Sequence, residues 1–162
     1  MNKAFHCFCI TARKGNTKMI ELLELEKCIK EERYADALAI IGDMEEMSRE
    51  DKINKIYSYM VILMIHLIKQ HAEKRSSPSW ERSIYNSVEA IRVTNKRRKT
   101  GGYYVEKEEL EELCCQAYPP ALKNASYEVY EGRYEASELA EMVDGNKIRN
   151  ESLKLILQGM PI

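Results

Sequence analysis

His66 is the residue best suited to move a proton. It interrupts an otherwise apolar run, residues 57–68, in which Ser58 is the only other break. An imidazole titrates near neutrality and can serve as a general acid or base. Lys69 and Gln70 follow one turn later on the same helical face. The competing and preferred reading is a core histidine that hydrogen-bonds a neighbouring helix or the loop after Arg75. His66 is the one catalytic candidate, and the chain as a whole leans towards a non-enzyme.

The loop that follows offers anion chemistry. Arg75, Ser76, Ser79 and Trp80 lie around Pro78. A helix opening there presents free backbone N–H groups and the positive end of its dipole, a seat for an anion with Arg75 as counter-charge. The architectural alternative has Ser77 or Ser79 capping the helix, Trp80 packing on the preceding helix, and Arg75 paired with Glu45 or Glu46. Further on, Arg92, Lys96, Arg97, Arg98 and Lys99 gather positive charge, with Tyr103 and Tyr104 close behind. Cations beside aromatic rings suit single-stranded nucleic acid, and basic residues also favour any helix C-terminus. Lys69, Arg75, Ser79, Trp80, Arg92, Lys96, Arg97, Arg98 and Lys99 are therefore the candidate anion- or partner-binding residues.

No metal site and no cofactor is expected. His66 and His71 are about 140° apart around a helix, which is not the i,i+4 pair of zinc helices. His6, Cys7 and Cys9 are ligand types without a second distant pair. With Cys28, Cys114 and Cys115 they bring the cysteines to five, an odd number at irregular spacing. Reduced, small, buried or half-buried cysteines in a cytoplasmic protein are the simplest reading. No phosphate-binding loop, dinucleotide fingerprint, nucleophile elbow or zinc-protease helix occurs.

Helices must position these residues. Residues 18–33 form a first one, with Met19, Leu22, Leu23, Cys28 and Ile29 on a broad inward face. A second spans 34–47, with Ala37, Ile40, Ile41 and Met44 at helical spacing and Gly42 as a weak point. Ser48 and Asp51 then suggest an N-cap, followed by the central helix, residues 50–75. Its middle is apolar on nearly all sides, the mark of a buried helix. The loop 76–79 stops it. Trp80, Ile84, Val88 and Ile91 stripe the next helix, which fades at the basic cluster and Gly101-Gly102. Residues 105–118 form another, with Pro119-Pro120 breaking or kinking it. One or two helices around Gly132 follow, then a turn at Asp144-Gly145-Asn146 and a short helix at 152–158. Strand alternation and internal repeats are absent.

Charge is uneven along this path. Residues 69–99 hold nine basic and three acidic side chains, and residues 106–141 hold ten acidic and three basic. Opposed surfaces of this kind serve self-association, or nucleic acid on the basic one. The whole chain has a formal net charge of -1, which selects no polyion partner. The apolar run is well short of the roughly 20 residues of a membrane span, and the opening residues do not form a secretory signal. No membrane association is expected.

The middle of the chain resembles a known family. Glu45-Glu46-Met47-Ser48, then His66-Leu67-Ile68-Lys69, then Arg75-Ser76 and Ser79-Trp80 with Ile84, are similar to the pattern of the family catalogued as domain of unknown function 29, found chiefly in cyanobacteria and other bacteria. That pattern has an acidic helix end, a serine-containing cap, a long apolar helix closing in His-Leu-Leu-Lys, and Ser-Trp opening an amphipathic helix. Leu113, Ala117-Tyr118 and Ala121 look like its next helix. The resemblance covers about residues 18–130. The chain departs from it at GGYYVEKEEL, where the family has Pro-Ser-Leu, and at Pro119-Pro120. The resemblance implies a compact all-helical fold and no established activity.

The sequence thus predicts a single all-α domain over residues 1–162, with 1–17 and 145–162 peripheral. Its architecture is a compact helical bundle around a long buried central helix. The expected function is a noncatalytic protein–protein interaction or regulatory module, with a protein partner or self-association. The alternative is a nucleic-acid-binding module or small nuclease that uses the basic helix end.

Overall fold

A computed structural model of the chain describes residues 19–97 and 101–158. The readings made of His6, Cys7, Cys9, Gly15, Asn16, Thr17, Arg98 and Lys99 fall outside these residues. Described residues form α1 (19–30), α2 (Tyr34–Glu73), α3 (Pro78–Asn95), α4 (Lys107–Ser126), a 3-10 turn (Val129–Gly132), α5 (Ala136–Met142) and α6 (Gly145–Leu157). Lys96 and Tyr103 form an isolated antiparallel bridge; the fold is all-α. No described helix is long and apolar enough to cross a membrane. By its internal packing the chain divides into two compact units, Met1–Glu50 and Asp51–Ile162.

In the first unit α1 closes on two bonds that reach back over its last turn: Arg33 N–H donates to the Cys28 carbonyl at 2.9 Å and Glu32 N–H to that of Ile29 at 3.2 Å. This is the Schellman arrangement, with Glu32 in the left-handed position (φ 58°) that glycine usually takes. The Arg33 guanidinium pins the turn by bonding Glu24, Glu31 and Asp36. Cys28 and Ala37 are buried. The expected inward face of α1 is only partly inward, because Met19, Leu22, Leu23 and Ile29 are exposed. The strip turned inward is Glu21, Leu25 and Cys28, at i, i+4 and i+7. The rest of the apolar stripe stays outside.

The break expected at Ser48 does not occur. Residues 42–55 contain no proline and many good helix formers, so α2 continues through them. In the second unit α2 supplies Ile56, Met60, Leu63, Met64, Leu67 and Ile68 to the core, all 1% exposed or less. Ile62 faces solvent, so this helix is buried over a broad face and not all round. Val88, Ile91, Leu110, Ala117, Leu139, Ile148 and Ile156 complete the core from α3, α4, α5 and α6.

Two departures from the sequence reading have clear causes. Pro119 and Pro120 lie inside α4, which does not break. A proline at 120 cannot donate to the Gln116 carbonyl, and the Tyr57 hydroxyl, from α2, approaches that carbonyl at 3.5 Å. Asp144-Gly145-Asn146 is not a separate turn but the start of α6, because the Asp144 carboxylate accepts from the N–H groups of Asn146 and Lys147. Gly145 lies so close to Tyr118 that a Cβ there would come within 2.8 Å of its ring.

Candidate functional site

The end of α2 and the start of α3 bring three of the sequence candidates, Lys69, Arg75 and Trp80, together. Lys74 takes a left-handed conformation (φ 52°) and ends α2. Ser77, not Ser79, caps α3: its hydroxyl accepts from Trp80 N–H at 3.3 Å, and Pro78 fills the first turn, where a missing N–H costs nothing. Ser79 is exposed.

Trp80 then carries two cations. The Lys69 ammonium and the Arg75 guanidinium each lie 4.7 Å from its ring centre, within cation–π range. Each cation also has a carboxylate. Lys69, 7% exposed, bonds Glu128 at 2.5 Å. Arg75 Nε bonds Glu73 at 2.7 Å, so its acid is Glu73 and not Glu45 or Glu46. The other Glu73 oxygen accepts from Tyr130 N–H at 3.1 Å, and the Tyr130 hydroxyl donates to the Ala72 carbonyl at 2.9 Å. Tyr130 and Glu131 themselves sit in the left-handed region. Arg75, the counter-charge of the anion seat read from the sequence, is thus bonded to a carboxylate of its own chain.

His66 joins this cluster through charge. Burial holds its pKa below the ordinary 6.5, the nearby Lys69 ammonium lowers it further, and Glu128 opposes them. Its Nδ1 is buried without a hydrogen-bond partner. The hydrogen bond expected of a core histidine is therefore not made at this nitrogen. A second histidine, His71, bonds Glu151 of α6 at 2.8 Å.

The basic end of α3 divides into three. Arg92 donates to the carbonyls of Ile156 at 3.0 Å and Leu155 at 2.6 Å, and bonds Glu89. It thereby satisfies carbonyls at the end of α6, which the helix itself leaves open. Lys96 and Arg97 are exposed, with Arg97 5.3 Å from the Tyr104 ring centre. Arg98 and Lys99 are among the residues not described. Behind them Asn95, fully buried, grips Val105 with both ends of its amide, donating at 2.9 Å and accepting at 2.8 Å.

Among the described residues no group of three or more His, Cys, Asp or Glu is placed to hold a metal. Burial, the largest effect, pushes the Cys114 thiol up to about 12, with Cys115 and Glu111 adding to it, which makes it a poor nucleophile. Cys115 is an exposed free thiol. Sequence reasoning missed Glu73, Glu128, Tyr130 and Glu151. Glu128 lies 59 positions from Lys69, and spacing carries no signal over such a distance.

A different surface also escaped it. Met19, Ile20, Leu22, Leu23, Ile29, Tyr34, Leu38 and Ile41 are all exposed in the first unit, Leu38 to 68% and Leu23 to 61%. On α2, Tyr34, Leu38 and Ile41 fall at i, i+4 and i+7, one stripe of the helix.

Searches against curated proteins and against solved structures gave no match. A family model described as "Domain of unknown function DUF29" matches residues 19–142. That span runs from α1 to the end of α5 and includes the Trp80 cluster, and the chain belongs to the DUF29 family.

Proposed function

We propose that this protein is a noncatalytic interaction module that binds a protein partner through the outer surface of residues 19–50. The observation that carries the reading is the exposure of eight large apolar side chains there. Dense exposed apolar residues mark binding surfaces, because their cost in water is recovered only when something covers them. Two of the cations named for the nucleic-acid alternative lend indirect support: Arg75 engages a carboxylate and Arg92 two carbonyls of their own fold, and so have less to give a phosphate, while Lys96 and Arg97 stay exposed. A reducing, cytoplasmic setting goes with this reading, since Cys28, Cys114 and Cys115 are free thiols.

The test is co-purification from the native host at low and high salt, with wild-type chain and a Leu22→Glu/Leu38→Glu variant. An apolar interface survives high salt and is lost in the variant. Nucleic acid as the only associated material, released by salt, would overturn the reading. So would a protein partner held equally well by the variant.

A further inference from the structure

We infer that residues 128–132 are a latch on the end of α2: a sprung left-handed turn that opens ahead of the rest of the fold and, on opening, changes the charge of the Trp80 cluster. The inference stands apart from the interaction-module reading and does not depend on it.

Tyr130, Glu131 and Gly132 follow one another at φ 47°, 60° and 76°. L-residues visit this region singly, as Glu32 and Lys74 do where α1 and α2 end. A run of them is unusual, because each Cβ is pressed towards the following carbonyl. Gly132 escapes that cost, and a Cβ there would in any case come within 3.1 Å of the Tyr127 carbonyl oxygen. Tyr130 and Glu131 bear it, each lowering the population of the turn about tenfold relative to an unstrained backbone.

Strain of this kind persists only where neighbours hold it. Here the catches lie on the last turns of α2. Glu128 bonds the Lys69 ammonium, Glu73 accepts from Tyr130 N–H, and the Ala72 carbonyl accepts from the Tyr130 hydroxyl. Val129, fully buried, ties the turn to the core. The residues around it, 127, 128 and 130–135, are exposed, so the turn can relax with little loss of buried contact.

Opening has an electrostatic consequence. In the closed form the two cations on the Trp80 ring are balanced, Lys69 by Glu128 and Arg75 by Glu73. Glu73 belongs to α2 and stays with Arg75 when the turn lifts. Glu128 belongs to the turn and leaves with it. The ring then carries an unpaired ammonium, so the latch sets whether this cluster is neutral or cationic.

Hydrogen exchange of the full chain, followed by NMR at several low urea concentrations, tests this. The Tyr130 amide should be protected, yet exchange at least about tenfold faster than those of Leu113 and Ala117 in α4. Its rate should hardly change with urea, the mark of a local opening. Glu131→Gly removes one strained residue and should raise Tyr130 protection about fivefold. Glu128→Gln weakens the catch on Lys69 and should lower it about tenfold. Trp80, the one tryptophan, reads the charge: in Glu128→Gln its quenching by iodide, relative to neutral acrylamide, should rise about twofold. A Tyr130 amide that is unprotected, or that exchanges with the core's rate and urea dependence, overturns the inference. So does Tyr130 protection that Glu131→Gly fails to raise or Glu128→Gln fails to lower, and so does an unchanged quenching ratio. Should Glu128→Gln fail to fold, Glu131→Gly, which strengthens the turn, still decides.

Discussion

Residues 19–50 and residues 51–158 are built from similar amphipathic helices and use them in opposite ways. In the later region the large aliphatic residues of α2 point into a core shared with α3, α4, α5 and α6. In the earlier one Cys28 and Ala37 are the buried apolar residues, while eight large ones face outward. The contrast separates two things that sequence patterns merge. Periodicity says that a helix has an apolar face; whether anything in the same chain covers it depends on how many neighbours arrive.

The strongest way to break this comparison is to shave matched leucines. Leu67, at 1% exposure, should cost about 4 kcal/mol when changed to Ala, from lost transfer energy and the cavity left behind. Leu38→Ala, at an exposed site, should stay within about 0.5 kcal/mol. Urea denaturation of both variants measures the difference, and equal costs would mean that the earlier region is as well packed as the later one.

Trp80→Ala comes next, at about 3 kcal/mol, the low end for large aromatic truncations because the ring is half-buried. The loss has two parts, apolar contact and two cation–π contacts. Trp80→Leu separates them: it keeps part of the apolar contact, has no π face, and should recover about half of the stability that the Ala variant loses. A Leu variant no better than Ala would put the weight on the cations.

Asn95→Ala should cost about 2 kcal/mol, since it strands both the N–H and the carbonyl of Val105 in a buried place. Hydrogen exchange at Val105 should speed up in the variant. Unchanged protection there would mean that the backbone finds other partners.

What the sequence made legible follows from the range of the forces involved. The Trp80 turn could be read because Ser77, Pro78 and Trp80 act within one helical turn. The long apolar run could be read because burial on a broad face needs no particular partner. The acids that hold Lys69 and Arg75 were not equally legible: Glu73 is two residues from Arg75, but Glu45 and Glu46 were as plausible by charge, and Glu128 is brought in by the 3-10 turn. The continuity of α4 was hidden for a similar reason, because Tyr57 approaches the Gln116 carbonyl from a different helix. The exposed face of α1 was misread because its apolar stripe is wider than the strip that turns inward.

The finest test of the comparison lies at its exceptions. Among the described residues each region has one buried side-chain atom without a partner, Glu21 Oε2 in the first and His66 Nδ1 in the second. For His66 the consequence can be signed. Its folded pKa lies below 6.5, so between that value and 6.5 the unfolded chain binds more protons than the folded one. Above 6.5 this residue leaves stability independent of pH. As pH falls through 6.5 towards the folded pKa stability drops, and below both values the loss is complete and levels off. His66→Gln should remove that acid-side slope. Lys69→Met should shrink it, because it deletes a positive charge that opposes protonation and leaves Glu128, which favours it. The same variant should move the His66 ring resonances to titrate at higher pH in NMR. A folded-state pKa at or above 6.5 in the wild type would refute the burial argument, and a value unmoved by Lys69→Met would remove Lys69 from it.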